Sequence, residues 1–175
     1  MPVVLVMSLG LSLSSASALG QVGVVRTGNT LVTATVNPEC SITVSSPTVL
    51  SQGAVLTPFS GSTTITFSLR TTKAGGSGFI GLQATEFTSG SPGSIGPKVA
   101  SGNLTYTCSG TSAVGTVCNG TQTASTTVAT PVVSAIGANQ KTASASAQVN
   151  WSVPDLFAFD ADSYSAAITF TVSAL

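Results

Sequence analysis

Charge is the scarcest property of this chain. Five Lys or Arg and five Asp or Glu make up 6% of 175 residues, against roughly 25% in an ordinary soluble domain. No basic footprint for nucleic acid or anionic lipid exists. Charge-driven disorder is excluded too, because 42% of the residues are hydrophobic and the net charge is zero. Histidine is absent, which removes Ser–His and Cys–His nucleophilic pairs and most common metal sites. The carboxylates Glu39, Glu86, Asp155, Asp160 and Asp162 include candidates for a glycosidase acid/base pair. Such clefts usually carry several aromatics, however, and the single tryptophan, Trp151, has the parity of a core residue in a strand. Neither an enzyme nor a cofactor is expected. The polar surface has to be built from Ser, Thr, Asn and Gln.

The N-terminus points to export. Residues 2–13 (PVVLVMSLGLSL) form an apolar run, and small residues ending in Ala16-Ser17-Ala18 follow it. The run is shorter than the roughly 20 residues of a membrane-spanning helix and reads as the core of a signal peptide covering 1–18. The usual Lys or Arg ahead of such a core is missing. A single domain over 19–175, with an N-terminal extension over 19–30, is expected to pass through a periplasm to the cell surface or the medium. A chain of that size buries about 70% of its unfolded surface.

An exported chain can oxidise its three cysteines, Cys40, Cys108 and Cys118. Cys108 and Cys118 flank a Gly/Ser/Thr segment, 109–117, that reads as a β-hairpin loop, so a bridge between them is favoured. The alternative is Cys40–Cys108, which would pin the first strand to a distant one. Three isolated cysteines without His or a C-x-x-C pair do not make a metal site.

Turn residues interrupt the chain every 8–12 positions, and apolar residues recur at period two, the pattern of half-buried strands. Val32, Ala34 and Val36 share a parity that continues after Pro38 through Cys40, Ile42 and Val44, predicting one long strand kinked at Asn37-Pro38. Ile65, Phe67 and Leu69 define the next strand. Ile80, Leu82 and Ala84 follow a Gly-rich hairpin turn at 75–78. Leu104, Tyr106 and Cys108 come next, then strands over 121–130 and 132–136 on either side of Pro131. Ala145 to Val153 at alternate positions make a strand with Trp151 as core anchor, and Tyr164 to Val172 make the last. Seven to nine short strands predict an all-β, antiparallel, immunoglobulin-like β-sandwich. Uncharged, Pro-free segments such as 64–69 and 167–172 would pair with another chain if they lay on an open edge.

Asp155, Asp160, Asp162 and Ser163 form the one cluster of hard oxygen ligands in the sequence. Its simpler reading is a polar loop whose Asp residues cap turns, and no metal is assigned. The N-x-S/T triplets at Asn103, Asn119 and Asn150 are expected by chance in so Ser/Thr-rich a chain. The glycines of 73–78 lack the G-K-[ST] of a phosphate loop.

Three stretches carry a resemblance. They are Leu31-Val32-Thr33-Ala34-Thr35-Val36-Asn37-Pro38-Glu39-Cys40-Ser41-Ile42, Asn103-Leu104-Thr105-Tyr106-Thr107-Cys108, and the last strand opened by Asp162-Ser163-Tyr164. Their order resembles the subunits of chaperone–usher pili, especially the archaic type and its spore-coat-protein-U relatives. Cys118 is extra to the two-cysteine pattern, and Asp-Ser-Tyr replaces Gly-Asp-Tyr. The resemblance implies a sandwich lacking one strand and completed by a neighbour's N-terminal extension, with a periplasmic chaperone and usher as partners. The donor candidate is 21–36, with Val22 and Val24, or Val32, Ala34 and Val36, as inserted side chains. The other reading of 21–36 is the first strand of a complete domain.

Overall fold

The computed structural model describes residues 30–110 and 114–175. The chain divides into two units, 1–35 and 36–175, and the strands described below belong to the second, the body. The expected signal peptide, Val22 and Val24 lie outside the described residues.

The body is all-β and antiparallel. Its strands are β1 (Glu39–Val44), β2 (Ser51–Gln52), β3 (Phe59–Arg70), β4 (Gly78–Ala84), β5 (Thr88–Ser89), β6 (Thr105–Ser109), β7 (Thr116–Val117), β8 (Gln122–Thr123), β9 (Thr130–Ile136), β10 (Lys141–Val153), β11 (Tyr164–Ser165) and β12 (Ile168–Ala174). Five of these are two-residue pairings, and the other seven carry the sandwich. The first sheet runs β1-β3-β10-β6-β8, with β2 also on β3. The second runs β12-β4-β9-β7, and β11 pairs with β5.

Alternation sets the core between the two sheets. In β3 the inward positions Thr63, Ile65, Phe67 and Leu69 are buried, as are Ala145, Ala147, Val149, Trp151 and Val153 in β10. The outward positions of β3 from Ser60 to Ser68 and of the middle of β10 are Ser, Thr, Asn and Gln, which hydrate the faces without charge. From the second sheet come Ile80, Leu82, Ala84, Val132 and Val133. Adjacent Val132 and Val133 are both buried because β9 bulges: Gly78 faces Ile136 while Ile80 faces Val133, and Ala135 takes φ 56°. Tyr106 and Trp151 stack tilted across β6 and β10 with centroids 5.6 Å apart. The Tyr106 hydroxyl reaches Pro131 O at 2.8 Å and Thr130 Oγ1 at 2.9 Å in the opposite sheet. Burial pushes its pKa up, partly offset by the Thr130 hydrogen bond.

Five expectations are corrected. The first strand starts at Glu39, and residues 30–38 belong to no strand. Pro38 has no N–H to donate and holds Asn37 out of register, so pairing cannot run through. The 75–78 turn is not a hairpin, since β3 and β4 lie in different sheets. The 109–117 segment is not one either: β6 belongs to the first sheet and β7 to the second. Finally, Pro131 sits inside β9. It is tolerated because β7 faces only Val133 and Ser134 and Cys118 N closes the ladder on Val132 O, leaving Pro131 at an edge on that side. Of the strand predicted over 121–130, only Gln122–Thr123 forms before Ser125 caps a turn through Thr127 N and Val128 N.

The disulfide is Cys108–Cys118, with Cα atoms 5.2 Å apart, so the alternative with Cys40 does not form. Because the intervening chain crosses between sheets, this bridge staples one sheet to the other. Replacing both cysteines by Ser should cost about 2–3 kcal/mol by the loop-entropy argument. Denaturant titration of the two proteins measures that loss, with an unchanged β-type circular dichroism spectrum expected for the folded variant.

Candidate functional site

The site lies where each sheet ends. β1 closes one side of the first sheet and β12 one side of the second. Ser45 N bonds to Thr64 O, so the odd residues of β1 point their backbone groups at β3. The N–H and C=O groups of Cys40, Ile42 and Val44 therefore turn to the free edge. On β12, Ala167 O accepts from Thr85 N and Leu175 N donates to Ser77 O. Ile168, Phe170 and Val172 accordingly turn theirs to the free edge as well.

The same residues carry the inward side chains of these two strands, and these are only half-covered. Ile42, Ile168, Phe170 and Val172 pack on the core yet stay partly exposed, and Val44 is 42% exposed. Their counterparts Ile80 and Leu82 on β4 are fully buried. The two edges meet at one end, where the Cys40 thiol lies 3.6 Å from Val172 O. Toward Val44 and Ile168 a cleft of about 1090 Å³ opens between the sheets.

Trp151 and Thr63, both buried, lie at the bottom of this cleft. The indole N–H donates to Thr63 Oγ1 at 2.7 Å, and Thr63 and Thr48 share a hydroxyl contact of 2.6 Å. Thr48 in turn donates to Ser62 O, so the polar atoms at the bottom satisfy one another and leave an apolar lining. Leu50, Phe59, Val153, Phe87, Ile168 and Phe170 supply that lining. Between β1 and β2, residues 46–50 leave the β3 ladder but stay packed on that strand, crossing Gly61, where a Cβ would stand 2.8 Å from Leu50. Glycine is required there for the cleft wall to lie flat.

The expected Asp cluster forms the rim. Asp160 Oδ2 accepts from Ile95 N at 2.7 Å, and Asp160 N donates to Ile95 O at 2.8 Å. Asp162 accepts from Ser91 N, Ser94 Oγ and Ser163 N. Asp155 accepts from Gln52 Nε2. These carboxylates tie the loop before β12 to the 90–96 loop and to the β2 turn, contacts of |i−j| = 65–103. Among the described residues no group of three or more His, Cys, Asp or Glu is placed to hold a metal. The Tyr164 ring lies against Gly96, where a Cβ would come within 2.0 Å of Cε1, and its hydroxyl reaches Ile95 O and Asp160 O. Burial, then the Asp160 and Asp162 charges, raise the Tyr164 pKa.

Cys40 is free and exposed. Val32, Ala34 and Val36 are exposed and in no strand. Sequence reasoning named the Asp loop and the last strand but not residues 46–50 or Phe87, whose only signal was hydrophobicity in turn-rich segments. No protein family, curated protein or solved structure matches the chain.

The hydrogen bonds from Ser94, Ser91 and Ser163 hold the Asp162 pKa below its ordinary 3.8. A carboxylate with a depressed folded pKa adds stability that is present above its unfolded value and lost as pH falls through the folded one. Acid below about pH 4 should therefore loosen the 90–96 loop before the core. Protection factors of the Ser91 and Ile95 amides against pH check this, and Asp162→Asn should abolish the acid-induced loss of protection at Ser91.

Proposed function

We propose that this protein is a structural subunit of an extracellular fibre, pilus or coat, assembled by β-strand addition after export. The observation that carries the reading is the pair of open strand edges facing each other across an apolar cleft. Each edge presents backbone groups without a ladder partner among the described residues and half-covered apolar side chains from the same residues. A strand laid between them would bond to Ile168 and Phe170 and bury every second side chain, repairing both defects at once. The chain itself holds a matching segment outside the sheets, 30–36. Its Thr/Val alternation at Val32, Ala34 and Val36 has strand character, and these residues are exposed. One copy's N-terminal segment, with Val22 and Val24 or Val32, Ala34 and Val36 as inserted side chains, completes the next copy. The resemblance to chaperone–usher pilins agrees with this reading, and a periplasmic chaperone would protect the cleft until a subunit fills it.

Mature protein released from denaturant should polymerise, and deletion of 19–36 should abolish polymer growth. The pair Val32→Asp and Val36→Asp should slow growth by at least tenfold, since each buried carboxylate faces a large desolvation cost. Light scattering and electron microscopy follow both. A wild-type protein that stays a folded monomer at high concentration would defeat strand addition. The cleft would then serve as the binding site of a monomeric adhesin module.

A further inference from the structure

The few charges are sorted by position. Glu39, Arg70 and Lys141 lie side by side across β1, β3 and β10, and Lys73 follows in the next loop. Three cations against one carboxylate give that end of the body a side-chain charge of +2. Glu86, Asp155, Asp160 and Asp162 lie at the opposite end, where the cleft opens, with Lys98 as the single cation there. That end carries −3. Among the described residues no charged side chain lies between the two ends.

The thirteen residues of β10 separate the ends, roughly 40 Å at about 3.3 Å per residue. The Debye length at physiological salt is about 8 Å. Within one molecule the two ends are therefore screened from each other, whereas two copies in contact would feel the attraction. The acidic end also exposes apolar side chains on neighbouring loops: Val55 is 86% exposed, Phe157 94%, and Leu56 and Leu156 are exposed beside them.

Chain length ties this polarity to strand addition. Only Asn37 and Pro38 separate Val36 from Glu39, at most about 11 Å of chain. A donor whose Val36 fills a neighbour's cleft must bring its own Glu39, and with it the basic end, against that neighbour. At the mouth of the cleft it meets −3. At the closed end, by Cys40 and Val172, it would meet another +2.

We propose that the acidic, apolar end of one copy is the docking surface for the basic end of the next. This head-to-tail contact, which rests on the strand-addition reading, sets the end from which the donated segment enters. Because the contacting surfaces are two different patches, the contact does not close into a dimer and propagates into a filament.

The test is polymer growth of the full mature chain at about 20 and about 300 mM NaCl. Wild type should grow about tenfold faster at the lower salt. Lys73→Glu/Lys141→Glu turns the basic end to −2; both lysines are exposed and neither forms an ion pair among the described residues. This variant should grow at least tenfold more slowly than wild type at low salt and, unlike wild type, accelerate as salt is added. A variant that merely folds less well would not invert the sign of the salt effect, and its melting temperature provides a second check. Growth of the variant at the wild-type rate, or a salt effect of unchanged sign, overturns the docking contact. If deletion of 19–36 abolishes growth in that case, strand addition stands while the end contact fails. If the deletion grows like wild type, or wild type does not grow, strand addition fails and the end contact with it.

Discussion

Two rows of backbone groups that have no ladder partner among the described residues govern this molecule. A sheet edge in water is tolerable, and so is an exposed valine. An edge whose inward side chains are also uncovered combines both defects on the same residues. Charged side chains, proline or a covering loop usually blunt such edges. Here β12 is Ile-Thr-Phe-Thr-Val-Ser-Ala, without a charge or a proline, and residues 46–50, fastened to β3 through Thr48, line the cleft without closing it. The rest of the body is strongly fastened by comparison. The Cys108–Cys118 bridge and the Tyr106 hydroxyl both join the two sheets away from the cleft. The sandwich is thus held closed on one side and left open on the other.

That asymmetry explains how the rim is built. The carboxylates beside the cleft are spent on backbone N–H groups and hydroxyls of adjacent loops. Charge-assisted bonds of this kind are among the stronger polar contacts. They hold the loops entering β11 and β12, so the open edge keeps its geometry without a neighbouring strand to enforce it. A cleft that collapsed would bury its own apolar lining and lose the capacity to accept anything. The bottom supports the same outcome, because Trp151, Thr63, Thr48 and Ser62 satisfy one another and leave no polar atom that an apolar occupant would strand.

The strand faces were legible in the sequence. The inward positions of β3, β10 and β12 follow from period two alone, because Ser and Thr occupy nearly every outward position and make the alternation clean. Membership of a sheet was not legible. The glycines at 75–78 and the Gly/Ser/Thr run at 109–117 announce turns, but local chemistry does not say whether the next strand returns to the same sheet or crosses the core. Burial of both faces decides that, and it depends on residues far away. Pro131 misled for a related reason: a proline breaks a ladder only where its N–H would have had a partner, and β7 ends before reaching it. The pairings of Asp160 with Ile95 and of Asp162 with Ser91 join loops 65 and 71 residues apart, and no spacing rule reaches that far. The same holds for the cleft, half of whose lining comes from segments that carry only turn signals.

Low charge content acquires a meaning once the register is known. Nine charged residues, the number among those described, would do little beyond solubility if scattered over a sandwich. Register places Glu39, Arg70 and Lys141 on one line and gathers four of the five carboxylates at the far end, so the uncharged Ser/Thr faces between them become a spacer. Strand pairing supplies affinity along a ladder but discriminates poorly between ends, since backbone groups repeat every two residues. In the proposed assembly, charges confined to the two ends would supply that missing discrimination at little cost to the strand faces. They act at contact, within about a Debye length, and penalise the reversed approach by like-charge repulsion. A body with few charges can therefore be more directional than one with many, provided that its sheets hold those few apart.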